Sequence, residues 1–275
     1  MMSANARMQD LFQSHLHTVV GYLTAGYPDR ESFFRIVKTC EERGLSVLEI
    51  GFPSKNPQAD GEVIRRAHAQ VDPAIATDLD FWRKLRQTVS IPIWVMGYEA
   101  DLSEDGMYRK LAEEGIADAY VIPDASFDRQ LHIKSELLPY KTEMVPLVSA
   151  DMDSRQIDRT LRSFPLIYQQ LYQGVTGMNV AGDGYKALLQ YNLKHGDNRL
   201  FAGFGISTVE RVQELFANGF YGAVIGTEIL RKLNESEEKL YAFIEELHTA
   251  EIASAERTQE SPGSQSGRNC TRRNG

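Results

Sequence analysis

Cysteine is scarce in this chain, with only Cys40 and Cys270 among 275 residues. One possible pair makes no disulfide framework, so the sequence points to a reducing compartment rather than a stapled secreted scaffold. Long apolar runs are missing too, and nothing approaches the roughly 20 residues of a membrane span. The opening stretch MMSANARMQDLFQSHLH lacks the apolar core of a signal peptide. Positive charge is also in short supply. Thirty Lys and Arg face 38 Asp and Glu, a net charge of −8, the opposite of what a nucleic-acid or membrane-surface binder needs. A cytoplasmic protein is the expectation.

Hydrophobic residues make up 42% of the chain and charged residues 25%, which suits a soluble protein with a substantial core. Short β-rich runs recur: HTVVGYLTAG, LSVLEIG, IPIWVMG, DAYVIPD, VPLVSA, LIYQQLY, RLFAGFG and YGAVIG. Between them lie segments of helical apolar spacing such as DRESFFRIVKTCEERG and STVERVQELFANG. Asp29, Ser103 and Ser207 read as helix N-caps, and Gly44, Gly115 and Gly219 as helix stops. Eight such βα units in about 250 residues is the stoichiometry of a TIM (β/α)8 barrel. An extra N-terminal helix and an inserted helix near residues 62–70, after the second strand, complete the expected α/β fold. A doubly wound open sheet is the alternative, but its G-x-G-x-x-G turn is absent. Residues 1–252 read as a single barrel domain. Residues 253–275 are almost devoid of apolar side chains and read as a disordered polar tail.

Strand alternation in SVLEIG sends Leu48 and Ile50 toward the helices and Val47, Glu49 and Gly51 into the barrel. Glu49 then sits at the C-terminal end of a barrel strand, where this fold keeps its catalytic groups. Burial would raise its pKa and suit it to acid–base work. A structural glutamate paired with a buried cation is the competing reading, although the other strands offer no obvious inward partner. Asp60, in the loop that follows, reads equally well as the N-cap of the next helix. Glycine turns close the last three units: GVTG after the sixth strand, GFGIS after the seventh and GTEIL after the eighth. Backbone N–H groups at such turns, with helix N-termini behind them, suit a phosphorylated ligand.

YLTAGYPD, LEIGFPSKNPQADG, VIPD, YQQLYQGVTG, GFGIS and GAVIGTEIL together resemble the tryptophan synthase α subunit family in order and spacing. The resemblance covers the barrel from about Thr18 to Lys232. It implies retro-aldol cleavage of indole-3-glycerol phosphate to indole and glyceraldehyde 3-phosphate, by a carbon–carbon lyase of tryptophan biosynthesis. Glu49 matches the general acid–base of that family, and Asp60 the carboxylate that receives the indole N–H. Tyr168, Thr176 and Phe204 match substrate-binding positions. Gly177, Gly205, Gly226 and Thr227 match phosphate-binding positions. No metal or organic cofactor is implied for this chain; the family's β subunit, the implied partner, carries pyridoxal phosphate.

The loop of residues 53–62 departs from the family pattern at Ser54, Lys55, Asn56, Gln58 and Glu62, which weighs against binding of a β subunit. Tyr27 and Ala100 also differ from the usual aspartate and asparagine. Glu228 enters the helix beside the phosphate glycines, where it would repel an anion unless turned to solvent. The departures leave two alternatives open: a stand-alone lyase on a related phosphorylated substrate, or a non-catalytic regulatory subunit.

Overall fold

The computed structural model describes residues 5–172, 176 and 184–260. Gly174, Val175 and Gly177 of the GVTG turn and residues 261–275 of the tail lie outside the described residues. Among the described residues nine strands, with helices between all but β5 and β6, form the sheet: β1 (Thr18–Thr24), β2 (Val47–Gly51), β3 (Ile93–Met96), β4 (Ala119–Val121), β5 (Glu143–Met144), β6 (Leu147–Val148), β7 (Leu166–Gln170), β8 (Arg199–Gly203) and β9 (Gly222–Ile225). Every pairing is parallel, in the order β5-β4-β3-β2-β1-β9-β8-β7-β6.

The two ends of that order, β5 and β6, are consecutive pieces of one chain segment. Pro146, which has no N–H to give to a ladder, interrupts them. The ladder passes through the break: Val145 donates its N–H to the Tyr120 carbonyl at 2.8 Å, and Pro146 accepts from the Tyr168 N–H at 2.9 Å. Residues 143–148 are therefore one barrel strand, and the sheet closes as the eight-stranded barrel that the sequence predicts.

Strands covered on both faces must be apolar on both faces, and this produces two cores. Leu48 and Ile50 belong to the outer one between sheet and helices; Val47 joins Val20, Trp94, Val121, Leu166, Phe201 and Val224 inside. The expected N-terminal helix, Ala6–Ser14, adds Met8 and Leu11 to that inner cluster. Trp94 lies against Met8, with its indole N–H 3.4 Å from the sulfur.

The local signals set most helix ends. Asp29 caps Arg30–Glu42 by accepting from the N–H groups of Glu31 and Ser32. Gly44, Gly115 and Gly219 take φ of 97°, 64° and 109°, the left-handed stops expected of them. Two caps differ. Ser103 ends the short helix Glu99–Ser103, its hydroxyl accepting from Arg129, and Gly106 (φ 64°) leads into the next helix, Met107–Glu113. Thr208, not Ser207, caps Val209–Ala217, because Ser207 lies on the wall of the barrel-mouth cavity.

The last helix, Glu237–Glu260, runs past residue 252, where composition places the end of the ordered chain. Its buried stripe of Leu240, Phe243, Ile244, Leu247, Ala250 and Glu251 reaches Ser254. Small side chains at positions 250 and 254 continue the packed face at helical spacing, which a count of apolar residues overlooks. No helix among the described residues is long and apolar enough to cross a membrane.

Candidate active site

Glu49 is buried at the C-terminal end of β2, beside Tyr22 of β1 and Trp94 of β3 in register. Its Oε1 has no hydrogen-bond partner among the described residues. Burial first, and the charge of Asp60 second, push its carboxyl up to about 8. A glutamate held this way gains nothing from its surroundings by ionising, unlike a structural ion pair.

Asp60 does not cap the following helix, Glu62–Gln70: the N-cap is Gly61, with no side-chain cap bond. The aspartate turns inward instead, 1% exposed, and Tyr98 donates its hydroxyl to Oδ2 at 2.9 Å. Burial raises Asp60 to about 6, against the lowering effects of the Tyr98 hydrogen bond and the Arg65 charge. Asp60 therefore ionises while Glu49 is still neutral, so the repulsion between them falls on Glu49.

One cavity at the barrel mouth is lined by Glu49, Asp60, Tyr168, Thr176, Phe204, Gly205, Gly226 and Thr227. The structure thus brings together every site residue picked from the sequence except Gly177, which lies outside the described residues. Thr176 is clasped to the Asp60 loop: its hydroxyl accepts from the Gly61 N–H at 2.7 Å, and its own N–H donates to the Ala59 carbonyl. Phe204 takes φ 71° and Gly205 φ 74°. A phenylalanine there is strained, and such strain collects at functional sites. The turn brings the Phe204 ring 6.0 Å from Tyr168 and 6.2 Å from Tyr172.

Across the mouth, Gly226 precedes the helix Thr227–Glu235, and the Thr227 hydroxyl is buried with no partner among the described residues. An unpaired hydroxyl at a helix N-terminus is a ready donor to an anion. Glu228 is not turned to solvent. Its side chain is 14% exposed and held by Arg231 at 3.3 Å and Lys232 at 3.5 Å. These two cations offset the repulsion that its position would otherwise impose, and Arg231 itself lines the cavity.

Sequence reasoning missed Tyr22, His68 and Tyr98. The signal for Tyr98 was its place just beyond the end of β3. The signal for Tyr22 was a glycine: a methyl group at Gly51 would collide with the Tyr22 hydroxyl, and one at Gly203 would collide with the Tyr168 ring. In each case the tyrosine leans along its strand into the space beside a glycine two residues beyond its register partner, Glu49 for Tyr22 and Phe201 for Tyr168. Among the described residues no cluster of His, Cys, Asp or Glu has the makings of a metal site.

A closed parallel barrel with two buried acids at its mouth and a glycine-lined helix N-terminus in the same cavity defines a (β/α)8 enzyme site built for acid–base work on an anionic ligand. The family model for the tryptophan synthase alpha chain matches residues 8–259, and the chain belongs to that family. The tryptophan synthase alpha chain of Dehalococcoides mccartyi is 31% identical over 266 residues, covering 88% of this chain and 98% of the relative. That of Bacteroides fragilis is 30% identical over 245 residues, covering 83% and 90%. Among solved structures, tryptophan synthase of Mycobacterium tuberculosis matches with a TM-score of 0.78 at 21% identity, over 90% of this chain and 98% of that one. A chain from the tryptophan synthase α2β2 complex of Pyrococcus furiosus matches with a TM-score of 0.74 at 22% identity, over 85% and 98%. These structural likenesses speak for the fold.

Proposed function

We propose that the protein cleaves indole-3-glycerol phosphate to indole and glyceraldehyde 3-phosphate, as a carbon–carbon lyase of tryptophan biosynthesis. One observation carries this reading: Glu49 and Asp60 share a cavity with Gly205, Gly226 and Thr227, so one small molecule can meet both acids and the anion cradle. Family membership supports the same activity.

The chemistry needs two acids in different protonation states, and burial sets Glu49 at about 8 and Asp60 at about 6. Near neutral pH Glu49 keeps its proton and Asp60 has lost its own. Glu49 delivers its proton to C3 of the indole ring. The Asp60 carboxylate accepts the ring N–H and stabilises the positive charge that develops there. The Glu49 carboxylate then takes the hydroxyl proton of the adjoining glycerol carbon. The electron pair of the breaking carbon–carbon bond returns to the ring, and the aldehyde leaves with its phosphate. Tyr168 and Phe204 bound the ring, Thr176 closes over the Asp60 loop, and the turns at Gly177, Gly205, Gly226 and Thr227 hold the phosphate. Residues 1–252 work as one barrel domain.

A tryptophan synthase β subunit is the proposed partner, since one solved relative comes from an α2β2 complex. The altered loop 53–62 predicts weaker coupling to it. The test is indole release by purified protein, with and without a β subunit. Turnover in both conditions is expected, following a bell-shaped kcat/KM profile with limbs near pH 6 and 8. Absence of indole in both would refute the reading.

A further inference from the structure

His68, on the helix Glu62–Gln70, is buried and takes no part in the steps above. Its Nδ1 accepts the Ser54 backbone N–H at 3.3 Å, which requires that nitrogen to be bare and places the ring proton on Nε2. Burial lowers its pKa to about 4, so the ring is neutral wherever Asp60 is ionised. The Nε2–H donates to the Tyr22 hydroxyl at 3.2 Å, and Asp60 Oδ2 stands beside it at 3.9 Å, beyond hydrogen-bond length but within reach of the field of that N–H. Tyr22 is held in place by β1 and by the room that Gly51 leaves, and its hydroxyl also lies 3.4 Å from Thr24 Oγ1.

We propose that His68 is a positioning residue for Asp60: a neutral imidazole whose single N–H is bonded to the Tyr22 hydroxyl and turns its positive end to the nearby Asp60 carboxylate, favouring the ionised form of that carboxylate beside Glu49. The role needs a neutral donor. A cation at position 68 would neutralise Asp60 and relieve Glu49 of the repulsion that helps keep it protonated. Asp60 is faced from the elements packed around it by Tyr22, Glu49, Arg65, His68, Tyr98 and Tyr168. Of these, Tyr98 and His68 bring a neutral donor within 4 Å of Oδ2. The Tyr22–His68 bond is the adjustable half of the arrangement: while the tyrosine holds the N–H the aspartate feels only its dipole, and without the tyrosine hydroxyl the N–H is free to turn to the carboxylate.

The proposal rests on the function above only for the purpose of Asp60, and its test does not need turnover. The carboxyl resonances of 13C-labelled aspartate are titrated in the whole protein, with Asp60 assigned by its loss in Asp60→Asn. His68→Phe keeps the ring and removes the donor, and should raise the Asp60 pKa by about one unit. His68→Gln places an amide N–H near the position of Nε2 and should restore the wild-type value. Tyr22→Phe removes the competing acceptor and should move Asp60 the other way, downward. The acid limb of kcat/KM should follow the same three directions. A structural role for His68 would lower stability without these opposed shifts. An Asp60 titration unchanged in both His68→Phe and Tyr22→Phe overturns the proposal, as does a shift of the same sign in both. Should His68→Phe fail to fold, an unmoved or raised value in Tyr22→Phe is enough to overturn it. A normal titration pattern with no indole released would instead sink the lyase reading and leave this one standing.

Discussion

The two ends of the barrel both bury carboxylates, and they treat them in opposite ways. At the N-terminal end Asp118 is 0% exposed. It accepts from Asn5 Nδ2 at 2.9 Å, Arg7 Nε at 2.8 Å, Arg86 Nη1 at 3.1 Å and the Ile93 N–H at 2.8 Å. At the mouth Glu49 is about as buried and has neither a cation nor a bond to Oε1 among the described residues. Glu251, on the buried face of the last helix, is the informative intermediate. Burial raises it to about 7, yet its oxygens are taken by the Ser46 hydroxyl and the Val19 N–H. A raised pKa alone therefore does not mark a site. What marks Glu49 is a raised pKa, an unsatisfied oxygen and a cavity wall together.

Glu49→Gln tests that contrast most severely. Two proton transfers are assigned to this carboxyl, each worth about 10²–10⁴-fold, so turnover should fall by about 10⁴-fold or more with the fold intact. Stability should move the other way. The folded value of about 8 lies above the ordinary value of 4.5, so the folded protein holds this proton more tightly than the unfolded chain. The resulting stability is complete below about pH 4.5 and is lost as pH rises through about 8. Denaturant midpoints should show the variant gaining on the wild type across that window. A variant that loses stability at pH 8 would mean that Glu49 has a cation after all.

Asp118→Ala should do the reverse at the other end. Removing one partner leaves Arg86, which is largely buried, without its carboxylate and frees the Arg7 and Asn5 contacts. The expected loss is about 3–5 kcal/mol of stability, with turnover per folded molecule preserved. Glu251→Gln should be milder. Its raised value gives stability that is present below about pH 4.5 and lost as pH rises through about 7, so the substitution should flatten that slope while kcat stays within about twofold. If Glu251→Gln cut turnover as Glu49→Gln does, the distinction between the two ends would collapse.

The same contrast explains what was legible in the sequence. All eight barrel strands announced themselves as short β-rich runs, and Glu49 stood out because an acid in such a run breaks the apolar pattern. Asp60 was ambiguous because capping and inward burial use the same residue just before a helix. Only the Tyr98 hydroxyl, which arrives from the end of β3, decides between them. His68 was hidden for a related reason. A histidine on an amphipathic helix carries no sign of which neighbours face it, and Tyr22 and Asp60 lie on other segments of the chain. The Ser207 and Thr208 caps were confused because adjacent hydroxyls fit one local rule, and the cavity claims one of them. The last helix runs on past residue 252, where the apolar count falls, because Ala250 and Ser254 are packed through their small size rather than their hydrophobicity.

The smallest effect separates binding from chemistry within the mouth itself. Thr227 presents a buried hydroxyl, unpartnered among the described residues, at the start of its helix and on the same cavity as Glu49. Valine has nearly the same shape without the hydroxyl, so Thr227→Val removes one donor to the phosphate and little else. The phosphate is remote from the reacting carbons and is held alike in ground and transition states. Its loss should therefore raise KM by about tenfold and leave kcat almost unchanged. Replacing an unpaired polar atom by a methyl group should also stabilise the free protein slightly, by less than about 1 kcal/mol. Steady-state kinetics beside a melting curve reads both. A fall in kcat with KM unmoved would place Thr227 with the acids rather than the anion cradle, and the division of the cavity into a reacting side and a holding side would have to be redrawn.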